Sequence, residues 1–139
     1  MDKKPDWLYR QSATVPLWLE DGELKIILVT SIKSGKWIVP KGVIERHLSP
    51  QESAANEALE EAGLLGEVEE QAIGYYEYRK WGGVCKVQVF ALRVEKVLDE
   101  WQEMALRRRA IVPLAQALKL VENKDLAAII ERYAAVNMI

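Results

Sequence analysis

From Ser12 to Leu19 and from Leu24 to Thr30 the chain is dense in Val, Leu, Ile and Trp, and Glu20-Asp21-Gly22-Glu23 between them is a turn sequence. The pattern predicts a β-hairpin. Trp37-Ile38-Val39 reads as a short apolar strand, ended by Pro40, which cannot donate to a sheet ladder, and Gly42 then opens a loop. The next element is a helix with clear ends. Ser49 is a natural N-cap, Pro50 suits the first helical position, Glu52 three residues after the cap completes a capping box, and Gly63 is the stop. Within it Ala54, Ala55, Ala58, Leu59 and Ala62 form a small-residue apolar side suited to close packing on a sheet. Glu57, Glu60 and Glu61 share another face.

Val68 to Arg79 and Val84 to Val97 carry β-branched and aromatic residues, and Trp81-Gly82-Gly83 between them is a hairpin tip. Alternation is imperfect around Val87 to Ala91, which points to a strand buried on both sides. Arg109 to Val112 is one more short strand, Pro113 opens a helical turn through Leu118, and Asp125 to Met138 has the spacing of an amphipathic closing helix.

Composition narrows the partners. A chain of 139 residues, half hydrophobic and 29% charged, is expected to form one globular domain over 1–139. With 19 basic and 21 acidic residues, net charge −2, the whole molecule has no electrostatic footprint for a nucleic-acid polymer. Cys85, the only cysteine, is expected as a small buried hydrophobe in a strand. No run reaches the ~18 apolar residues of a membrane span, so the expectation is a cytoplasmic protein without a membrane partner, monomer or homodimer.

The three glutamates carry the candidate chemistry. Carboxylates at i, i+3 and i+4 crowd together, and each i,i+4 like-charge pair costs a few tenths of a kcal/mol. A hard divalent cation would reverse that cost, and Mg²⁺ commonly combines one or two carboxylates with substrate phosphates. A solvated acidic face is the alternative. Three glutamates alone leave that alternative ahead, and it gives way only on the resemblance described next.

Gly42, Glu45, Glu57, Glu60, Glu61, Gly63 and Leu64 resemble the Nudix box. Together with Arg10-Gln11-Ser12-Ala13, Trp37 to Gly42 and Val94 to Trp101, they resemble the branch of that family that hydrolyses diphosphoinositol and diadenosine polyphosphates. The resemblance implies an α/β (α+β) fold, a Nudix-type α/β/α sandwich with a mixed central sheet, and hydrolysis of a phosphoanhydride in a small phosphorylated substrate with Mg²⁺ or Mn²⁺. It implies Glu57, Glu60 and Glu61 as catalytic metal ligands, Gly42 through its carbonyl, and a further acid from among Asp99, Glu100 and Glu103, with Glu100 and Glu103 equally weighted. Arg10, Ser12, Lys33, Lys36, Lys41 and Arg46 are the expected substrate contacts.

Two positions depart from the box. Leu48 stands where its first glutamate would be, and Asn56 replaces the arginine that pairs with a box carboxylate. These gaps motivate a second expectation, a weak or inactive Nudix domain that senses a nucleotide or a protein. Arg107-Arg108-Arg109 is expected as a solvated strand entrance rather than a phosphate clamp. His47 is expected to be exposed in its loop, and Trp81 to cap its hairpin or stack on a base.

Overall fold

The computed structural model describes residues 3–137. Seven strands form one sheet: β1 (Arg10–Glu20), β2 (Glu23–Thr30), β3 (Trp37–Ile38), β4 (Lys41–Val43), β5 (Leu64–Lys80), β6 (Gly83–Val97) and β7 (Arg109–Pro113). The helices are α1 (Pro50–Ala62), α2 (Leu114–Leu120) and α3 (Lys124–Asn137). The main path through the sheet is β3-β2-β1-β6-β5, with β4 paired to β1 and β7 to β2. The β1–β6 pairing is parallel and the others are antiparallel, so the sheet is mixed as expected.

Every predicted element is present, and the differences have physical causes. Gly42 lies in a strand instead of a loop, because Lys41–Val43 pairs with Gln11–Ala13 of β1. β5 starts at Leu64 instead of Val68, immediately after the helix stop, and passes through register shifts between Leu65 and Gly74 that no period-2 pattern could reveal. A 3-10 turn at Asp6–Tyr9 had no sequence signal. The predicted end of the closing helix at Met138 lies outside the described residues.

Alternation along β1 and β2 splits the core into two layers. Ala13, Val15, Ile26 and Leu28 face Ala117 of α2 and Leu126, Ile129 and Ile130 of α3. Ile27, Val29, Leu64 and Leu92 pack with Ala58 and Ala62 of α1. Helices thus cover both faces, which makes the α/β/α sandwich. Each fully buried Ile or Leu stabilises it by about 1.5–3 kcal/mol. On the α1 side the contact residues of the helix are alanines, so its backbone lies close to the sheet and its glutamates start near the strand ends.

Candidate active site

The capping box fixes where α1 begins. Ser49 Oγ accepts from the Glu52 N–H at 3.1 Å, and the Glu52 carboxylate accepts from the Ser49 N–H at 2.8 Å. Gly63 ends the helix with φ +67°, in the left-handed region that favours glycine. Its end is held by the segment before β7 and by the first residue of that strand. Trp101 Nε1 donates to the Glu61 carbonyl (2.9 Å), Arg109 Nη1 to the Ala62 carbonyl (2.8 Å), and the Glu103 N–H to the Glu60 carbonyl (3.0 Å). The Arg109 guanidinium also stacks on Trp101, 4.0 Å from the ring centroid.

Held at both ends, α1 presents Glu57 and Glu61 to β4. Glu61 is only 4% exposed, and its Oε1 accepts from the Lys41 N–H at 3.2 Å. Glu57 lies against Gly42 so closely that a Cβ there would come within 2.4–2.5 Å of the carboxylate atoms. A side chain at position 42 would displace the Glu57 carboxylate from its present place. Burial raises the pKa of Glu57 above the ordinary carboxylate range, and repulsion from Glu61 and Glu60 adds to it. Burial raises Glu61 as well, against the opposing pull of Arg107 and the Lys41 N–H. The two side chains share a hydrogen bond, so near neutrality they tend to hold one proton between them.

A cleft of about 310 Å³ contains this pair. Lys33, Lys41, Lys80 and Arg107 bring positive charge to it, and Tyr78 and Trp81 supply aromatic walls. Lys41 Nζ donates to the Tyr78 hydroxyl (2.9 Å), which donates to Gln11 Oε1 (2.7 Å). Burial and then the Lys80 charge lower the Lys41 pKa. A second cavity of about 380 Å³ shares Ser31, Ile38, Lys41 and Tyr78 with the cleft and is walled by Trp37, Tyr76, Val121 and Leu126.

The expected site residues therefore separate. Gly42, Glu57, Glu61, Lys33 and Lys41 come together in the cleft, while Glu60 is half-buried beside them and its charge acts on Glu57. Of the two acids weighted equally, Glu100 is exposed, whereas Glu103 is drawn in by its backbone bond to Glu60 and by Arg107. Arg10 and Arg46 line a different depression with Asp6, Trp7, Glu45 and Leu48, where Arg46 lies 5.7 Å from the Trp7 ring centroid. Lys36 meets Glu122 at 3.5 Å, an exposed pair at the edge of the second cavity. Ser12 is fully buried in β1, and its hydroxyl has no hydrogen-bond partner among the described residues.

Arg107 departs most from expectation. In place of a solvated strand entrance, its side chain is 10% exposed and reaches two acids and a carbonyl. A run of three arginines cannot reveal this, because it depends on how the segment folds over α1. Lys80 likewise lines the cleft without any signal in the sequence. Trp81 both caps the hairpin, its carbonyl accepting from the Tyr9 hydroxyl, and lines the cleft.

Among the described residues, no set of three His, Cys, Asp or Glu side chains is gathered tightly enough to hold a metal ion as they stand. The donors at the cleft still fit a hard divalent cation. Two crowded carboxylates with raised pKa values would gain most from a cation, and the oxygen chemistry matches Mg²⁺ or Mn²⁺.

Two helices over a mixed sheet on one side, and a capped acidic helix facing a glycine strand on the other, define a fold that comparison identifies. A model of the NUDIX domain matches residues 8–133, and the chain belongs to that family. Nudix hydrolase 21, chloroplastic, of Arabidopsis thaliana is 31% identical over 115 residues, covering 81% of this chain and 58% of the plant protein. Mouse diphosphoinositol polyphosphate phosphohydrolase 3-alpha is 26% identical, covering 82% of this chain and 70% of its own length. The C. elegans Ap4A hydrolase has the same fold, with a TM-score of 0.75 at 17% identity over 91% of this chain and 96% of that one. The chain spans about three-fifths of the length of the plant relative. Nudix hydrolases generally use divalent metals. Among the described residues no helix is long and apolar enough to cross a membrane.

Proposed function

We propose that this chain, acting as one Nudix domain, is a pyrophosphohydrolase that uses Mg²⁺ or Mn²⁺ to open a phosphoanhydride in a dinucleoside polyphosphate or diphosphoinositol polyphosphate. The observation that carries the reading is the cleft that joins Glu57 and Glu61 to Lys33, Lys41, Lys80 and Arg107. Acids alone would repel a polyphosphate, and cations alone would bind it without hydrolysis. The combination supports both binding and reaction.

Gly42 through its carbonyl, with Glu57, Glu60 and Glu61, would hold the cation, and Glu103 is better placed than Glu100 to assist. When bound, the cation supplies neutralisation of charge on phosphate oxygens and a more acidic water. The chain's own groups do the rest. Lys33 and Lys80 take non-reacting phosphate oxygens as mobile charges, while Lys41, held by Tyr78, offers a fixed one. A glutamate carboxylate of the cluster accepts the proton of the attacking water. Water adds its oxygen to phosphorus, the bridging P–O bond breaks, and the departing phosphate keeps the bond's electron pair. The adjoining cavity sets the aromatic faces of Trp37, Tyr76 and Tyr78 beside Lys36 and Lys41, a lining on which a base could stack, and this favours the nucleoside-bearing substrates.

The test is a panel of diadenosine polyphosphates, inositol pyrophosphates, nucleoside triphosphates and ADP-ribose with Mg²⁺ or Mn²⁺. Turnover of the first is expected to lead, and preference for ADP-ribose would overturn the branch. A nucleotide sensor is the second reading, favoured by the placement of Asn56 on the exposed surface and of Leu48 in the Arg10 depression. Tight binding with no metal-dependent turnover would establish it.

A further inference from the structure

Among the described residues Arg107 brings a nearly buried guanidinium beside the acidic pair, and each of its three nitrogens faces a protein oxygen. Nε donates to Glu103 Oε1 at 2.9 Å, Nη1 donates to the Thr30 carbonyl at 3.0 Å, and Nη2 lies 3.5 Å from Glu61 Oε2. Its side chain is 10% exposed, that of Glu61 6% and that of Glu103 20%. Thr30 is itself fixed, since its N–H donates to the Arg108 carbonyl and its Oγ1 accepts from the Arg108 N–H. The end of β2, the segment before β7 and the C-terminal turn of α1 therefore meet on one side chain.

We infer that Arg107 is a positioning residue: its three-way fork sets the carboxylates of Glu61 and Glu103 in the orientation the hydrolytic site requires. The geometry separates this from a phosphate contact. A guanidinium whose side chain is 10% exposed and whose Nε and both Nη nitrogens already face protein oxygens is poorly placed to grip a phosphate, whereas Lys33 and Lys80 line the same cleft and form no such fork. It also explains how two acids from distant segments come to face one site although Asn56 carries no charge. A planar fork holds direction as well as charge, and a lysine ammonium holds only charge. The inference rests on the proposed hydrolytic reading.

Arg107→Lys and Arg107→Gln in the full chain test it, with kcat and KM measured on diadenosine tetraphosphate and Mn²⁺, and with metal-free crystal structures of both variants. The expected result is a kcat about 100-fold lower in both, as for a reactive group misplaced by ~1 Å, with KM within about threefold of the parent. Glu61 and Glu103 are expected to leave their present orientations in the crystals. A raised KM with unchanged kcat, or full recovery by lysine, would overturn it in favour of a phosphate contact, as would carboxylates unmoved in the crystals. If the glutamine variant does not fold, the lysine variant carries the test. Absence of turnover in the parent would refute the hydrolase reading alone, because the crystal structures read the carboxylate positions without substrate or metal.

Discussion

Replacing Gly42 with alanine separates function from stability at a single atom. The added Cβ would meet Glu57 Cδ at 2.4 Å and both carboxylate oxygens at 2.5 Å, where ordinary contacts begin near 3.4 Å. The carboxylate must therefore retreat by about 1 Å, a displacement that costs roughly 100-fold in turnover when it befalls a catalytic group. Folding should scarcely notice. The clash is with the end of a flexible side chain, and alanine in an extended strand loses less conformational freedom than glycine, a gain of about 0.4–1 kcal/mol. The expected outcome for Gly42→Ala is a kcat down by about two orders of magnitude with a melting temperature equal to or slightly above the parent's. Steady-state kinetics with Mn²⁺ and a thermal melt measure both. Full turnover would show that Glu57 is not catalytic, and a large fall in melting temperature would show that the glycine serves the fold.

Other outcomes follow from the same geometry. Glu60→Gln is expected to cut Mg²⁺-dependent turnover sharply while circular dichroism and melting stay unchanged; undiminished turnover would remove Glu60 from the mechanism. Folding raises Glu57 to about 8 and Glu61 to about 7 from an ordinary 4.5, so their contribution to stability is fully present below about 4.5 and lost as pH rises through 7 to 8. The metal-free protein should then melt progressively lower across that window, Mg²⁺ should oppose the decline, and a metal-independent flat profile would contradict the shared-proton account. Ser49→Ala removes the cap bond to the Glu52 N–H and should cost about 1 kcal/mol, or roughly 3 °C in melting temperature, measurable by calorimetry.

The local elements were determined by the sequence itself. Ser49, Pro50, Glu52 and Gly63 define α1 because capping is short-range chemistry, and its bounds in the structure match them. The i, i+3, i+4 spacing likewise puts Glu57, Glu60 and Glu61 on one face in any helix. What pairs across space was not legible. Whether Gly42 lies in a loop or a strand depends on β1 arriving beside it, and whether Glu100 or Glu103 turns inward depends on one backbone bond to Glu60. Arg107 shows the limit most clearly, since three consecutive arginines are chemically alike and only the closing of the segment over α1 buries this one. Burial then decides the chemistry. Low exposure raises the pKa values of Glu57 and Glu61 and gives the Arg107 fork its weight, and burial is a property of the packed sandwich that no stretch of sequence possesses alone.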